Sequence, residues 1–146
     1  MPPRQATSAL EVIHHDGYDP SINPLFVPAI RVGSLVFVSG LTAAPTYHAH
    51  PHREDDFESI PPDAEAQARA LFLNLDTVLR AVGAPRDHVV QLNRFFTDVG
   101  RDQDVVNRIQ GEFFAGHMPT STSVEVKRLA THPRLRIEIN SVVAVR

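Results

Sequence analysis

Apolar positions along this chain follow two rhythms, and the switches between them mark the elements. Between residues 25 and 40 two short apolar runs, Leu25-Phe26-Val27 and Leu35-Val36-Phe37-Val38, flank Val32-Gly33-Ser34, the pattern of a β-hairpin closed at Gly33-Ser34. From Ala64 the period lengthens. Ala64, Ala68, Leu71, Phe72, Leu75, Val78, Leu79 and Val82 recur at helical spacing, with Asp63 placed to cap the first turn and Gly83 to stop the last. Residues 89–99 (VVQLNRFFTDV) read as a strand, and Val105, Val106, Ile109, Phe113 and Phe114 mark a second helix that runs up to Gly116 and Pro119. In 121–129 the alternation returns, with Val124 and Val126 on one face and Ser121, Ser123, Glu125 and Lys127 on the other. A last strand, 135–145, sets Ile137 and Ile139 against Arg136, Glu138 and Asn140.

The order β-β-α-β-α-β-β predicts an α+β domain with both helices on one face of a mixed sheet. Its other face mixes isolated polar residues with apolar ones, which suits a surface that is solvated or buried against another subunit. Two segments lack a period. Residues 1–24 read as an irregular N-terminal arm leading into a single domain over 25–146, and 42–62, rich in Pro, His and acidic residues, reads as a long surface loop of the kind that often serves a site.

Composition narrows the function. A chain of 146 residues suits one domain, and small domains are often completed by subunit contacts. Fourteen Lys and Arg against 17 Asp and Glu leave a formal charge of −3, with no broad basic field to attract nucleic acid or an anionic membrane. There is no cysteine, hence no disulfide, thiolate nucleophile or Cys-based zinc site. Neither an apolar leader over 1–10 nor a stretch of about 20 apolar residues is present, so a cytoplasmic protein without a membrane segment is expected.

Motifs then line up in order. Val32-Gly33 followed by Phe37-Val38-Ser39-Gly40, Gln67-Ala68-Arg69 with Asn74-Leu75, Ala81-Val82-Gly83-Ala84 with Asp87-His88-Val89-Val90, and Phe96-Thr97-Asp98 with Asn107 are followed by Pro119 to Val126 (PTSTSVEV) and Arg136-Ile137-Glu138-Ile139. From about Phe26 to Arg146 this series resembles the RidA/YjgF (reactive-intermediate deaminase, endoribonuclease L-PSP-like) family. The resemblance implies a chorismate-mutase-like fold, a homotrimer whose sheets form a central barrel, and intersubunit clefts for small metabolites. It further implies hydrolysis of reactive enamines or imines to a keto acid and ammonia, without a cofactor. Endoribonuclease activity, sometimes attached to the family, is disfavoured by the acidic balance and the absence of mixed aromatic and basic patches.

The same resemblance marks departures. Ser121 stands where the family has an arginine that grips the substrate carboxylate, and Asn140 where it has a glutamate that activates water. Serine cannot neutralise a carboxylate, and an amide is no base near neutral pH. Two outcomes follow: an enzyme for a different imine-, enamine- or enol-like metabolite, or a non-catalytic ligand-binding or regulatory trimer. For the first, Ser121, Ser123, Asn140 and Glu138 are the catalytic candidates, as a neutral hydrogen-bonding surface with the nearest remaining carboxylate. Binding candidates are Phe26, where relatives often have a cleft tyrosine, Arg31 as a replacement cation, Ser39 and Gly40 as close-approach backbone, and Asn107 on the second helix. In the loop, Tyr47-His48-Ala49-His50-Pro51-His52 is weakly specific for a metal, and the reading adopted is no metal, with His48 or His50 acting as an acid/base lid.

Overall fold

In the computed structural model, which describes residues 9–22 and 25–146, six strands form one mixed sheet. They are β1 (Glu11–Ile13), β2 (Ala29–Val32), β3 (Leu35–Leu41), β4 (Val89–Phe96), β5 (Thr120–Glu125) and β6 (Ile137–Ala144), in the spatial order β1-β2-β3-β6-β4-β5. Only β4 and β5 run parallel, and parallel neighbours need a crossover, here supplied by helix α2 (Val99–Phe114). Helix α1 (Ala64–Val82) joins β3 to β4 and packs beside α2. No helix is long and apolar enough to cross a membrane among the described residues.

α1 has the expected boundaries for the expected reasons. Asp63 Oδ1 accepts the Ala66 N–H at 2.8 Å, and Gly83 ends the helix at φ 77°, a left-handed conformation that costs glycine little. α2 starts six residues before its first predicted apolar position, because Asp98 caps it by accepting the Arg101 N–H at 3.0 Å.

Three expectations are corrected. The first hairpin strand is Ala29–Val32, not the run at 25–27: Pro28 has no N–H to give a ladder, so pairing begins one residue later. Within the expected irregular arm, β1 pairs with β2 in the register Val12↔Ile30 and sends Ile13 into the core, a strand too short to announce itself by period. The rest of that arm at 1–8 and 23–24 lies outside the described residues. Finally, the segment 42–62 is not merely a surface loop. Ala43, Ala44, Phe57 and Ile60 form a second apolar cluster with Leu129 and Leu135, separate from the main core between sheet and helices.

Irregular backbone can be buried only if its polar groups find partners. Two side chains of α1 supply them. Asn74 Nδ2 donates to the carbonyls of Thr42 (2.8 Å) and Ala44 (3.1 Å). Gln67, wholly buried, donates from Nε2 to Pro61 O and Arg134 O, both at 2.9 Å, and accepts the Arg136 N–H on Oε1 at 2.8 Å. α2 is tied to the same region by Asp102, whose carboxylate is 1% exposed and takes two bonds from Arg136 (2.6 and 3.1 Å) and two from Arg101 (2.8 and 2.9 Å). Burial pushes the Asp102 pKa up, and these guanidinium bonds more than reverse it, leaving it below the usual aspartate value.

Gln67→Ala should cost about 3 kcal/mol in urea unfolding, because three buried backbone groups lose partners together. The Asp102 contribution is present above the ordinary aspartate pKa and is lost as pH falls through the depressed folded value. Asp102→Asn should therefore lower Tm near neutral pH and flatten the decline in Tm on acidification.

Candidate functional site

The sheet face turned away from the helices carries the richest chemistry. Register pairs Asn93 with Asn140 and Phe95 with Glu138, so these four share that face, with Phe37 and Ser39 of β3. Gly40, Phe95, Val126, Arg128, Leu129, Glu138 and Asn140 line an open concavity of about 370 Å³ there. The β3–β6 register slips between Val38 and Leu41, and at this irregularity Gly40 lies against the Glu138 carboxyl. A Cβ at position 40 would stand 3.1 Å from Glu138 Cδ and closer still to Oε1. No cation pairs with Glu138 among the described residues, and burial raises its pKa above the ordinary glutamate value. A half-buried carboxyl without a counter-ion, its pKa raised by burial, is suited both to give and to take a proton.

Phe26, Ser39 and His48 adjoin this concavity. Phe26 faces a groove of about 450 Å³ with Leu25, Ile30, Phe37 and Ser39. With Gly40, Thr42, Pro45, His48 and Thr131 it also closes a small gap of about 20 Å³. Ser39 is spent on structure, its hydroxyl donating to Val27 O at 2.6 Å. His48 is buried, with Nδ1 held on Pro45 O at 2.8 Å, and burial lowers its pKa, so the ring is neutral. The His50 ring stands edge-on to Phe26 at 5.9 Å.

The two serines lie elsewhere. β5 pairs Leu92 with Ser121 and Arg94 with Ser123, which puts both serines on the helix side of the sheet, opposite Glu138 and Asn140. Within one chain, strand alternation thus separates the serines from Glu138 and Asn140. Arg31 stands apart too. Its Nε donates to Gly33 O (2.9 Å) and its Nη2 to Arg146 O (3.1 Å), at the hairpin end and away from the concavity.

The cation that sequence reasoning missed is Arg94. It is only 7% exposed, and its fork meets neutral acceptors: Ser123 Oγ (2.9 Å) from Nε, and Asn107 Oδ1 (2.7 Å) and Gln110 Oε1 (3.2 Å) from Nη1. The guanidinium lies 5.2 Å from the Phe96 ring centre. No carboxylate among the described residues pairs with it, and burial lowers its pKa, though an arginine stays charged. Asn107, exposed on α2, thus orients a guanidinium instead of bonding to backbone. The signal was legible, since Leu92, Arg94 and Phe96 alternate on one face of the predicted strand and a lone arginine among buried neighbours calls for a reason.

Comparison with known proteins agrees with this architecture. The family model described as Endoribonuclease L-PSP matches residues 19–145. Protein DfrA of Myxococcus xanthus is 32% identical over 132 residues, covering 89% of this chain and 93% of its own. A 2-iminobutanoate/2-iminopropanoate deaminase of Dermatophagoides farinae is 30% identical over 117 residues, covering 80% of this chain and 83% of its own. Among solved structures, a protein of unknown function from Pseudomonas aeruginosa superposes with a TM-score of 0.78 at 29% identity, over 94% of each chain. E. coli TdcF with bound serine superposes at 0.73 with 25% identity, over 93% of this chain and 99% of its own.

The raised Glu138 pKa has a signed consequence. Between the ordinary glutamate value and the raised one, the folded chain holds a proton that the unfolded chain has released, so stability falls as pH rises through this window. Glu138→Gln should remove that part of the pH dependence in denaturant unfolding, leaving stability on the alkaline side of the window equal to or above that of the unaltered protein.

Proposed function

We propose that this chain, which belongs to the Endoribonuclease L-PSP (RidA/YjgF) family, hydrolyses a small imine- or enamine-like carboxylic acid in a cleft completed by a second copy of itself. The observation that carries the reading is Glu138, an unpaired carboxyl with a raised pKa on the wall of an open, partly apolar concavity. A deaminase among the relatives supports the reaction class.

Protonated Glu138 donates its proton to the imine nitrogen while water oxygen bonds to the imine carbon and the C=N π pair moves to nitrogen. The resulting carboxylate takes a proton from the added water. That proton is next delivered to the amine, the C–N bond breaks, and the hydroxyl oxygen closes the C=O bond as it gives its proton back to the Glu138 carboxylate, restoring the acid form. Keto acid and ammonia leave. Asn140, beside Glu138 on the same face, offers an amide to hold the attacking water, and Gly40, having no Cβ, leaves the space the carboxyl occupies.

The carboxylate of such a substrate needs a cation, and Arg94 is the buried guanidinium without an acidic partner. Within one chain Arg94 and Glu138 lie on opposite faces of the sheet, so a small substrate meets both only if the β5 edge of one copy closes over the open face of the next. Val12, Val32, Leu35, Phe37 and Val124, exposed on that face, supply apolar surface for such an assembly, which we take to be a homotrimer.

Purified protein should accelerate loss of 2-iminopropanoate generated in place by an amino-acid oxidase. Glu138→Gln should lower kcat by about 10²-fold or more, as expected for a general acid/base. Arg94→Gln should chiefly raise KM, by roughly 10- to 100-fold, the worth of a charge-assisted bond. Mixing the two variants under subunit exchange should restore part of the activity, and mixtures as inactive as their components would refute the shared cleft. Saturable binding of the substrate's keto-acid product without any turnover would instead make the chain a ligand-binding protein.

A further inference from the structure

Apart from the Glu138 concavity, the segment 47–57 gathers three imidazoles. Each of His48, His50 and His52 offers a ring nitrogen, and these nitrogens all lie within 4.8 Å of one another. Ring centres stand 4.9 Å apart for His48 and His50, 4.8 Å for His50 and His52, and 5.2 Å for His48 and His52.

Their hydrogen bonding suits ligation. His48 Nδ1 donates to Pro45 O, which fixes the tautomer and leaves Nε2 with its lone pair free; a backbone carbonyl on the far nitrogen is how metal-bound histidines are commonly held. Among the described residues that Nε2 is buried without a hydrogen-bond partner, and so is His50 Nδ1. Two such nitrogens on rings 4.9 Å apart, in a segment otherwise anchored by Ala49 N–H on Asp56 Oδ2 and by buried Phe57, call for an occupant. Phe57 stands edge-on to His48 and His52, and Phe26 lies beside His48 and His50, so apolar rings wall the group while exposed His52 leaves one side to solvent.

From this geometry we infer that His48, His50 and His52 form a site for one divalent transition-metal ion of the zinc class, with a fourth position open to water or a small ligand. Three imidazoles on zinc at ~2.0–2.1 Å hold their nitrogens about 3.4 Å apart, so the present spacing asks for closure of an ångström or so. His52 and His50, in short irregular backbone, provide it. Neutral imidazoles select zinc, copper or nickel over calcium or magnesium, which take oxygen ligands. His48 also lines the small gap shared with Phe26 and Gly40, and Gly40 in turn lines the Glu138 concavity, so one side of the group adjoins the candidate site.

Tag-free protein stripped with chelator and dialysed should bind one Zn²⁺ per chain by calorimetry, raise its Tm with added Zn²⁺, and give the visible absorption of a low-coordinate centre with Co²⁺. His50→Ala and His52→Ala, at the less buried positions and so least disruptive of the fold, should each abolish the Co²⁺ spectrum and the Tm response while keeping the metal-free Tm. Absence of stoichiometric Zn²⁺ binding, or binding unchanged in both variants, would overturn the site. Because the readouts are binding and stability, they stand independently of imine hydrolysis.

Discussion

Two amide side chains on one helix hold together the parts of this protein that have no regular structure. The segments 42–62 and 127–136 run over the end of the sheet, partly buried, and their backbone groups have no ladder to join. Gln67 and Asn74 face them from the buried side of α1 and bond five of those groups between them. An amide suits the task, because it donates and accepts on one planar head and carries no charge into the interior. The Asp102–Arg136 pair closes the same region from α2. The walls of the candidate site, Leu129 and Arg128 on one side and Thr42 to His48 on the other, belong to these two tethered segments. The position of the site is thus set by α1, although α1 contributes no residue to the concavity.

The second theme is charge left unpaired. Among the described residues, Glu138 and Arg94 are each withdrawn from solvent without an opposite charge, on opposite faces of one sheet. A buried charge without its partner is unfavourable, and a fold tolerates it best where something else completes it. Arg94 is partly compensated by the amide and hydroxyl oxygens of Asn107, Gln110 and Ser123. Glu138 is compensated by rising toward its neutral form. Both solutions leave a group whose state responds to a bound anion or a transferred proton.

Much of the fold was legible beforehand. α1 announced itself through eight apolar positions at helical spacing between a capping aspartate and a terminating glycine, all signals that act within a few residues. The alternation of Leu135, Ile137 and Ile139 with Arg136, Glu138 and Asn140 likewise showed which side of β6 faced the core. β1 was not legible, because three residues hold no period, and its pairing depends on an edge built sixteen residues later. The motif residues Gln67 and Asn74 were visible as letters, yet their role as tethers was not, since their partners lie as far as 69 residues away.

Among the site residues, the sequence by itself determined which chemical groups exist: one arginine at a core-facing strand position, a glutamate and an asparagine two residues apart on β6, three histidines at alternate positions. Local rules suffice for that, because strand alternation sets the face of a side chain. Only the tertiary structure decided which groups meet. It separated Ser121 and Ser123 from Glu138 and Asn140 by the thickness of the sheet, spent Arg31 on backbone carbonyls, seated Glu138 against Gly40, and folded His48, His50 and His52 into one group. Those outcomes depend on register between strands and on the path of tethered loops, which local spacing does not encode because both are fixed by contacts distant in the chain.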